Sequence, residues 1–211
     1  MYLSKIIVDI RHPSARQALR DANDMHRNLM AGFPMVDGQP TPRADAQILY
    51  RLFSRRDQVF LLMSSAERPD AAALAKNGLY TDDAMMRNIS GMKQVLQPGR
   101  LLRFELIASP CKKVDDGGNN SRRVFLSTPE ERLGWLRRKG EAGGFEVVQA
   151  SEMSGRLDIQ GKRGSMGVKN SGILFSGVLR ITDSDAFWQS YILGIGPGKA
   201  YGLGMLNVAN V

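Results

Sequence analysis

Two features of this 211-residue chain have residue types suited to chemistry: a histidine, His26, and a lysine held among glycines, Lys199. An imidazole titrating at about 6.5 suits general acid–base work, although a lone histidine on an apolar helix face is more often a packing residue. Lys199 lies in Gly194-Ile195-Gly196-Pro197-Gly198-Lys199-Ala200-Tyr201-Gly202-Leu203-Gly204. Glycines such as Gly196 and Gly198 allow backbone amides to approach a phosphate, and Lys199 adds charge; the plainer reading is a helix-to-strand connection. The segment is not a nucleotide-binding P-loop, because Ala200 follows Gly198-Lys199 and Leu193 occupies the first glycine position. It is not a dinucleotide fingerprint either, since it follows a helix and precedes a strand. Cys111, between Pro110 and two lysines, is either an incidental thiol or one of lowered pKa. His12 reads as an exposed loop residue, and Asp82-Asp83 and Asp115-Asp116 as solvated carboxylates. No spacing suggests a Ser-His-Asp or Cys-His arrangement.

The elements that must position these groups follow from periodicity and punctuation. Tyr2 to Ile10 reads as a strand, and a helix follows with Ser14 as N-cap and Gln17 completing a capping box. Ala15, Leu19, Ala22, His26 and Leu29 keep helical spacing, so one helix is expected to run from residue 14 to Gly32-Phe33-Pro34. Residues 35–45 form a loop, 47–54 and 58–64 two strands, 71–76 a short helix, and Ile89 to Leu96 a weak strand. The pattern then restarts. Leu101 to Ser109 is a strand, 115–121 a polar loop, and Ser127 or Thr128 caps a helix through Lys139. Phe145 to Ala150 and Ile173 to Ile181 are strands, with a glycine-rich loop expected over 154–172. Asp183 or Ser184 caps a helix to about Leu193, and Met205 to Val208 closes the chain. Each half reads strand–helix–strand–strand–helix–strand, which gives an α+β fold of two tandem ferredoxin-like (RRM-like) domains, 1–97 and 100–211.

Composition narrows the partners. With 43% hydrophobic and 24% charged residues the chain is globular. Its 29 Lys+Arg against 21 Asp+Glu give a net charge of +8, which permits a polyanionic partner without requiring one. The excess leans toward the second half, in Lys112-Lys113, Arg122-Arg123, Arg137-Arg138-Lys139 and Lys162-Arg163. One cysteine and two histidines argue against a disulfide framework, a cysteine-rich zinc site or a histidine-based metal centre. No apolar run approaches the roughly 20 residues of a membrane span and no signal-peptide pattern opens the chain, so a cytoplasmic protein is expected.

Several of these stretches together resemble the CasE family, the CRISPR RNA-processing endoribonucleases of type I-E Cascade. They are the opening Met1-Tyr2-Leu3-Ser4-Lys5, the helix end from His26 to Pro34, Arg103 through Lys112, Trp135-Leu136, Gly144-Phe145, Phe175 through Leu179, and Gly194 through Lys199. The similarity covers nearly the whole chain, with Ser109 where the family has Asn. It implies metal-independent cleavage of CRISPR precursor RNA at the base of a repeat hairpin, without a cofactor. It also implies that the protein keeps the hairpin and joins the other Cascade subunits, being a monomer when isolated.

On this resemblance His26 is the catalytic histidine, acting as general base on the 2′-hydroxyl or general acid on the 5′-oxygen. Lys199 and its glycine neighbours Gly196 and Gly198 would hold the developing charge. The family's basic loop falls on Gly161-Lys162-Arg163-Gly164, flanked by Arg156, Gln160 and Lys169. Arg27, Lys112 and Lys113 are further phosphate contacts. One departure stands out. The family often places Tyr three residues before the histidine, where this chain has Asn23, which donates a hydrogen bond but does not titrate. Tyr201 is the alternative source of a hydroxyl. The departure leaves open a second reading, a catalytically impaired subunit that binds the hairpin.

Overall fold

The computed structural model describes residues 1–33, 47–56, 58–76, 78, 80, 84–115, 121–163 and 166–211, with backbone alone at 121, 162–163 and 166–169. The loop expected over 35–45, the Asp82-Asp83 pair and Asp116 lie outside the described residues. Strand β1 (Tyr2–Val8) leads into helices α1 (Pro13–Arg20) and α2 (Ala22–Met30). Then come β2 (Leu49–Arg55), β3 (Gln58–Ser65), α3 (Ala71–Ala75) and β4 (Met85–Asn88). The four strands form an antiparallel sheet ordered β2-β3-β1-β4. Helix α4 (Met92–Val95) precedes β5 (Leu101–Ala108), β6 (Cys111–Asp115), β7 (Ser121–Phe125), α5 (Pro129–Ala142) and β8 (Phe145–Glu152). The chain ends with β9 (Leu157–Arg163), β10 (Met166–Ile181), α6 (Ser184–Leu193), a 3-10 turn (Lys199–Tyr201) and β11 (Leu206–Asn210). Their sheet runs β11-β5-β10-β8, with β9 added against β10, while β6 and β7 pair as a separate ribbon. In each main sheet the first strand of its half sits beside the third and fourth, and the second is at the edge. That is the ferredoxin-like order, and it occurs twice.

Alternation explains the sheets. Along β5, Leu102, Phe104, Leu106 and Ala108 are buried while Leu101, Arg103 and Glu105 are exposed, the period of a strand with one face on a core. By packing, the chain makes two compact units. Met1–Met92 cluster with Ile159–Asn170 and Lys199–Gly202; Lys93–Asp158, Ser171–Gly198 and Leu203–Val211 form the second. The first unit's core joins Ile6 and Val8 of β1, Leu61 and Met63 of β3, Ala15 and Ala18 of α1, and Met25 and Leu29 of α2. Each fully buried aliphatic contributes on the order of 2 kcal/mol.

The structure corrects several expectations. The single helix from residue 14 is two, broken at Asp21, whose backbone is extended (φ −129°, ψ 106°). Its N–H still closes α1 on the Gln17 carbonyl at 3.1 Å, while its Oδ1 accepts from the Asn23 and Asp24 amides at 2.9 and 3.3 Å. Gln17, freed from any capping box, donates to Asp24 at 2.9 Å. The N-cap of α1 is His12 rather than Ser14: its Nδ1 accepts from the Ser14 amide at 3.3 Å. His12 is therefore a half-buried cap, not an exposed loop residue.

The strand expected over 89–96 is displaced to β4. There Met85 to Asn88 pair with Lys5 to Tyr2, after which the Asn88 side chain accepts from the Ser90 amide at 2.9 Å and turns the chain into α4. The loop expected over 154–172 gains a ladder, since β9 extends the second sheet. The segments flanking the loop expected over 115–121 pair as the β6–β7 ribbon, while residues 116–120 lie outside the described residues.

Helix caps give this fold two measurable handles. Replacing Asp21 with Ala is expected to cost about 1 kcal/mol, with Asp21→Asn close to wild type because the amide oxygen still caps. Urea midpoints at constant m-value check this, and equal losses in both variants would show that the cap is not the cause. On α5, Thr128 Oγ1 accepts from the Glu131 amide at 3.2 Å, while Glu131 accepts from the Ser127 and Thr128 amides at 3.0 and 3.2 Å. These bonds hold the Glu131 carboxyl below its ordinary value of 4.5. Its contribution is thus fully present above 4.5 and fades as pH falls through the lowered value. Glu131→Gln, which caps without titrating, is expected to give a shallower acid limb in stability against pH.

Candidate active site

His26 sits in the middle of α2, half-buried, between the buried anchors Met25 and Leu29. The anchors fix the helix to the core. Tyr80 adds a second hold, its hydroxyl donating to Met25 Sδ at 3.6 Å, and burial pushes its phenol pKa up, so it stays a donor. Asn23 lies one turn before His26 on the same side of the helix. Its backbone amide is held by Asp21, so the first turn of α2 already carries a negative charge of its own.

Two other segments of the first unit close on this helix. The 3-10 turn Lys199–Tyr201 packs against α2 and β2. It is pinned by the Tyr50 hydroxyl, which donates to the Ala200 carbonyl at 3.3 Å, and Gly202 lies against the Tyr50 ring. Lys199 and Tyr201 are both half-buried there. The second segment is β9. A Cβ on its buried Gly161 would stand 3.2 Å from the Asn23 amide nitrogen and 3.3 Å from Asp21 Oδ1, so a bare backbone is what allows this approach. The basic stretch at 161–163 therefore begins in contact with the first turn of the His26 helix. The side chains of Lys162, Arg163 and Lys169 lie outside the described residues; Gln160 is exposed.

The remaining residues singled out by sequence do not all gather here. Gly196 and Gly198 have positive φ, 82° and 83°, which any other residue would adopt only with strain. Their open faces are filled by Trp135 and Leu203, so at these two positions glycine serves the turn that presents Lys199. Arg27 is exposed and ion-paired with Asp24. Arg156 belongs to the second unit: its Nε donates to Ser171 Oγ at 2.8 Å and to Asp158 at 3.1 Å, and its guanidinium lies over the Phe125 ring. Lys112 and Lys113 are exposed on β6, and Lys113 stands directly opposite Arg123 of β7. Such a like-charge pair is unfavourable in the free chain and is relieved when an anion lies against it. Burial raises the Cys111 pKa, against the alternative of an activated thiol. Sequence reasoning missed Asp21 as a positioning residue, and it named Gly161 as part of the basic loop without its role against α2. The carboxylate-first pattern Asp21-Ala22-Asn23-Asp24 was the available signal for Asp21.

What this arrangement can do is bounded by its groups: a half-buried imidazole, an amide donor one turn away, an ammonium on a rigid turn, and a basic strand. These suit a phosphodiester that carries its own nucleophile. Comparison with known proteins gives the family. The family model described as CRISPR associated protein matches residues 1–210. The chain is 29% identical over 222 residues to the CRISPR-associated endoribonuclease Cse3 of Thermus thermophilus, covering 99% of this chain and 100% of the relative. It is 33% identical over 224 residues to the CRISPR system Cascade subunit CasE of Escherichia coli, covering 99% of each. The structure of Thermus thermophilus Cse3 bound to an RNA representing a pre-cleavage complex superposes with a TM-score of 0.81 at 28% identity, covering 99% of this chain and 98% of that one. With its doubled ferredoxin-like order and a match along its length, the chain belongs to the CRISPR-associated protein family and, within it, to the CasE group.

Proposed function

We propose that this chain is a CRISPR endoribonuclease that cuts precursor RNA at the base of the repeat hairpin without a metal, leaving 2′,3′-cyclic phosphate and 5′-hydroxyl ends. It then keeps the hairpin as a Cascade subunit. In this reading segment 1–97 carries the catalytic histidine, and 100–211 the basic loop and glycine-rich turn. The observation that carries it is the gathering of His26, Lys199 and the basic strand at Gly161 within one packing unit. Support comes from two relatives named as an endoribonuclease and as a Cascade subunit.

The chemistry needs few parts. RNA holds its 2′-hydroxyl beside the phosphorus, so attack is intramolecular once the backbone is set in line. The oxygen–phosphorus bond to the 2′-oxygen forms as the bond to the 5′-oxygen breaks. His26 moves a proton at one of these two oxygens, while the Lys199 ammonium lies against the charge gathering on the phosphate. Asn23 donates a hydrogen bond from one turn away and moves no proton. Lys162, Arg163, Lys169, Gln160 and Arg156, with Arg27, Lys112 and Lys113, hold the RNA chiefly through phosphates.

Purified protein incubated with a hairpin repeat RNA in EDTA tests this. Cleavage to a cyclic phosphate is expected. Tight binding of intact RNA would instead favour the impaired-subunit reading that Asn23 leaves open. His26→Ala is expected to slow cleavage by roughly 10²–10⁴-fold while retaining hairpin binding; cutting at the wild-type rate would remove His26 from the mechanism. Lys162→Ala with Arg163→Ala is expected to weaken binding and flatten its dependence on salt. An unchanged salt slope would move the contact surface elsewhere.

A further inference from the structure

The break at Asp21 leaves a groove between α1 and α2 whose α1 side the proposed chemistry does not use. Two adjoining depressions, about 740 and 430 Å³, share Gln17, Asp24 and Arg27 and so form one continuous trough. Arg16 and Arg20 line the larger one from α1, and Asn23 lines it from α2. Both arginines are exposed, and neither guanidinium makes a hydrogen bond or ion pair with another described residue. They stand four residues apart on one helix face, about 6 Å along the axis. The trough's two acidic members are both engaged: Asp21 accepts from the Asn23 and Asp24 amides, and Asp24 is held by Arg27 and by Gln17 at 2.9 Å. Three arginines against these two aspartates leave the trough net positive, with Arg16 and Arg20 outside any ion pair among the described residues.

Position ties the trough to the reaction. At about 100° per residue, Asn23 stands between His26 on one side of α2 and Arg27 on the other. A path from a phosphate at His26 over Asn23 leads into the trough. We infer that the α1–α2 groove carries the single-stranded RNA flanking the scissile phosphate, with Arg16 and Arg20 on neighbouring phosphates of that strand. Arginine suits the task because its planar fork meets phosphate oxygens in pairs. Ala15 and Ala18 on the opposite face of α1 are buried and hold it to the core, so the arginine-bearing face is left for a partner. The inference rests on the endoribonuclease reading and adds to it a binding track outside the hairpin.

The test compares two RNAs, a repeat hairpin with single-stranded flanks and the same hairpin trimmed to its stem and loop. The double variant Arg16→Ala, Arg20→Ala is expected to bind the flanked RNA at least tenfold more weakly at 0.15 M salt. Its log–log salt slope should shrink by about 1.4, the single-strand value for two contacts. Affinity for the trimmed hairpin should match wild type, which also controls for folding. Arg16→Lys with Arg20→Lys should recover most of the salt slope, since it keeps the charges. Flanked-RNA affinity and slope unchanged in the alanine variant overturn the inference, whether or not that variant still assembles with Cascade subunits. So does an equal loss on both RNAs, which would assign the arginines to the stem. Wild-type protein that neither binds nor cuts the flanked hairpin overturns the endoribonuclease reading itself. That outcome is distinct from wild-type cleavage with an indifferent variant.

Discussion

The Asp21 carboxylate sits where one helix stops and the next begins, and much of the candidate site follows from that placement. Its backbone closes α1, its side chain opens α2, and its extended φ and ψ swing the second helix off the axis of the first. An unbroken helix would carry Asn23 and His26 further along α1's own line and would leave no trough between the two. The same carboxylate oxygen lies beside Gly161, so the cap that starts α2 also forms part of the seat for the basic strand. One residue thus couples the orientation of the histidine to the approach of β9.

This cap has an electrostatic consequence. Helix N-termini commonly supply amides for phosphates, but the Asn23 and Asp24 amides are already taken by Asp21. The first turn of α2 is therefore no ready anion site, and the positive field must come from side chains brought by other segments. Beyond the α1 arginines that line the trough, the first unit brings Lys199, on a turn pinned through Ala200 by Tyr50, and the basic stretch that begins at Gly161. Neither of these two segments lies near α2 in sequence. Their presence in the first packing unit is what turns a histidine on a helix into a candidate phosphate site.

The fold was largely legible from residue patterns, because alternation along strands such as β5 and caps such as Thr128 and Asp183 are local signals. The helix break was not. Ala15, Ala18, Ala22, Met25 and Leu29 keep a continuous three-and-four spacing straight through Asp21, so periodicity sees one helix where capping chemistry makes two. The ribbon of β6 and β7 and the strand β9 were missed for another reason. Their sequences are short and mostly polar, and a strand with little to bury leaves no hydrophobic alternation to read. His26 and Lys199 were found by type and by resemblance. Gly161 was read as part of a basic loop, and its actual role, a bare backbone against α2, depends on packing that sequence spacing does not contain.

Asn23 marks where this chain's chemistry differs from the pattern its family suggests. At one turn before His26, a tyrosine would bring a hydroxyl that both donates and accepts hydrogen bonds and that can give up its proton. Asn23 brings an amide that only donates and accepts, with no proton to transfer. In the proposed reaction every proton transfer on that side of the phosphate then falls to His26 or to water. The remaining stabilisation must come from fixed charge. The carboxamide still has a geometric use, since it lies between the histidine and the arginine-lined trough, where a hydrogen bond can steady a strand without changing its charge. A site built this way relies on holding the phosphate still rather than on a second titrating group. That places the burden of catalysis on how firmly Asp21, Met25 and Leu29 hold α2 in place.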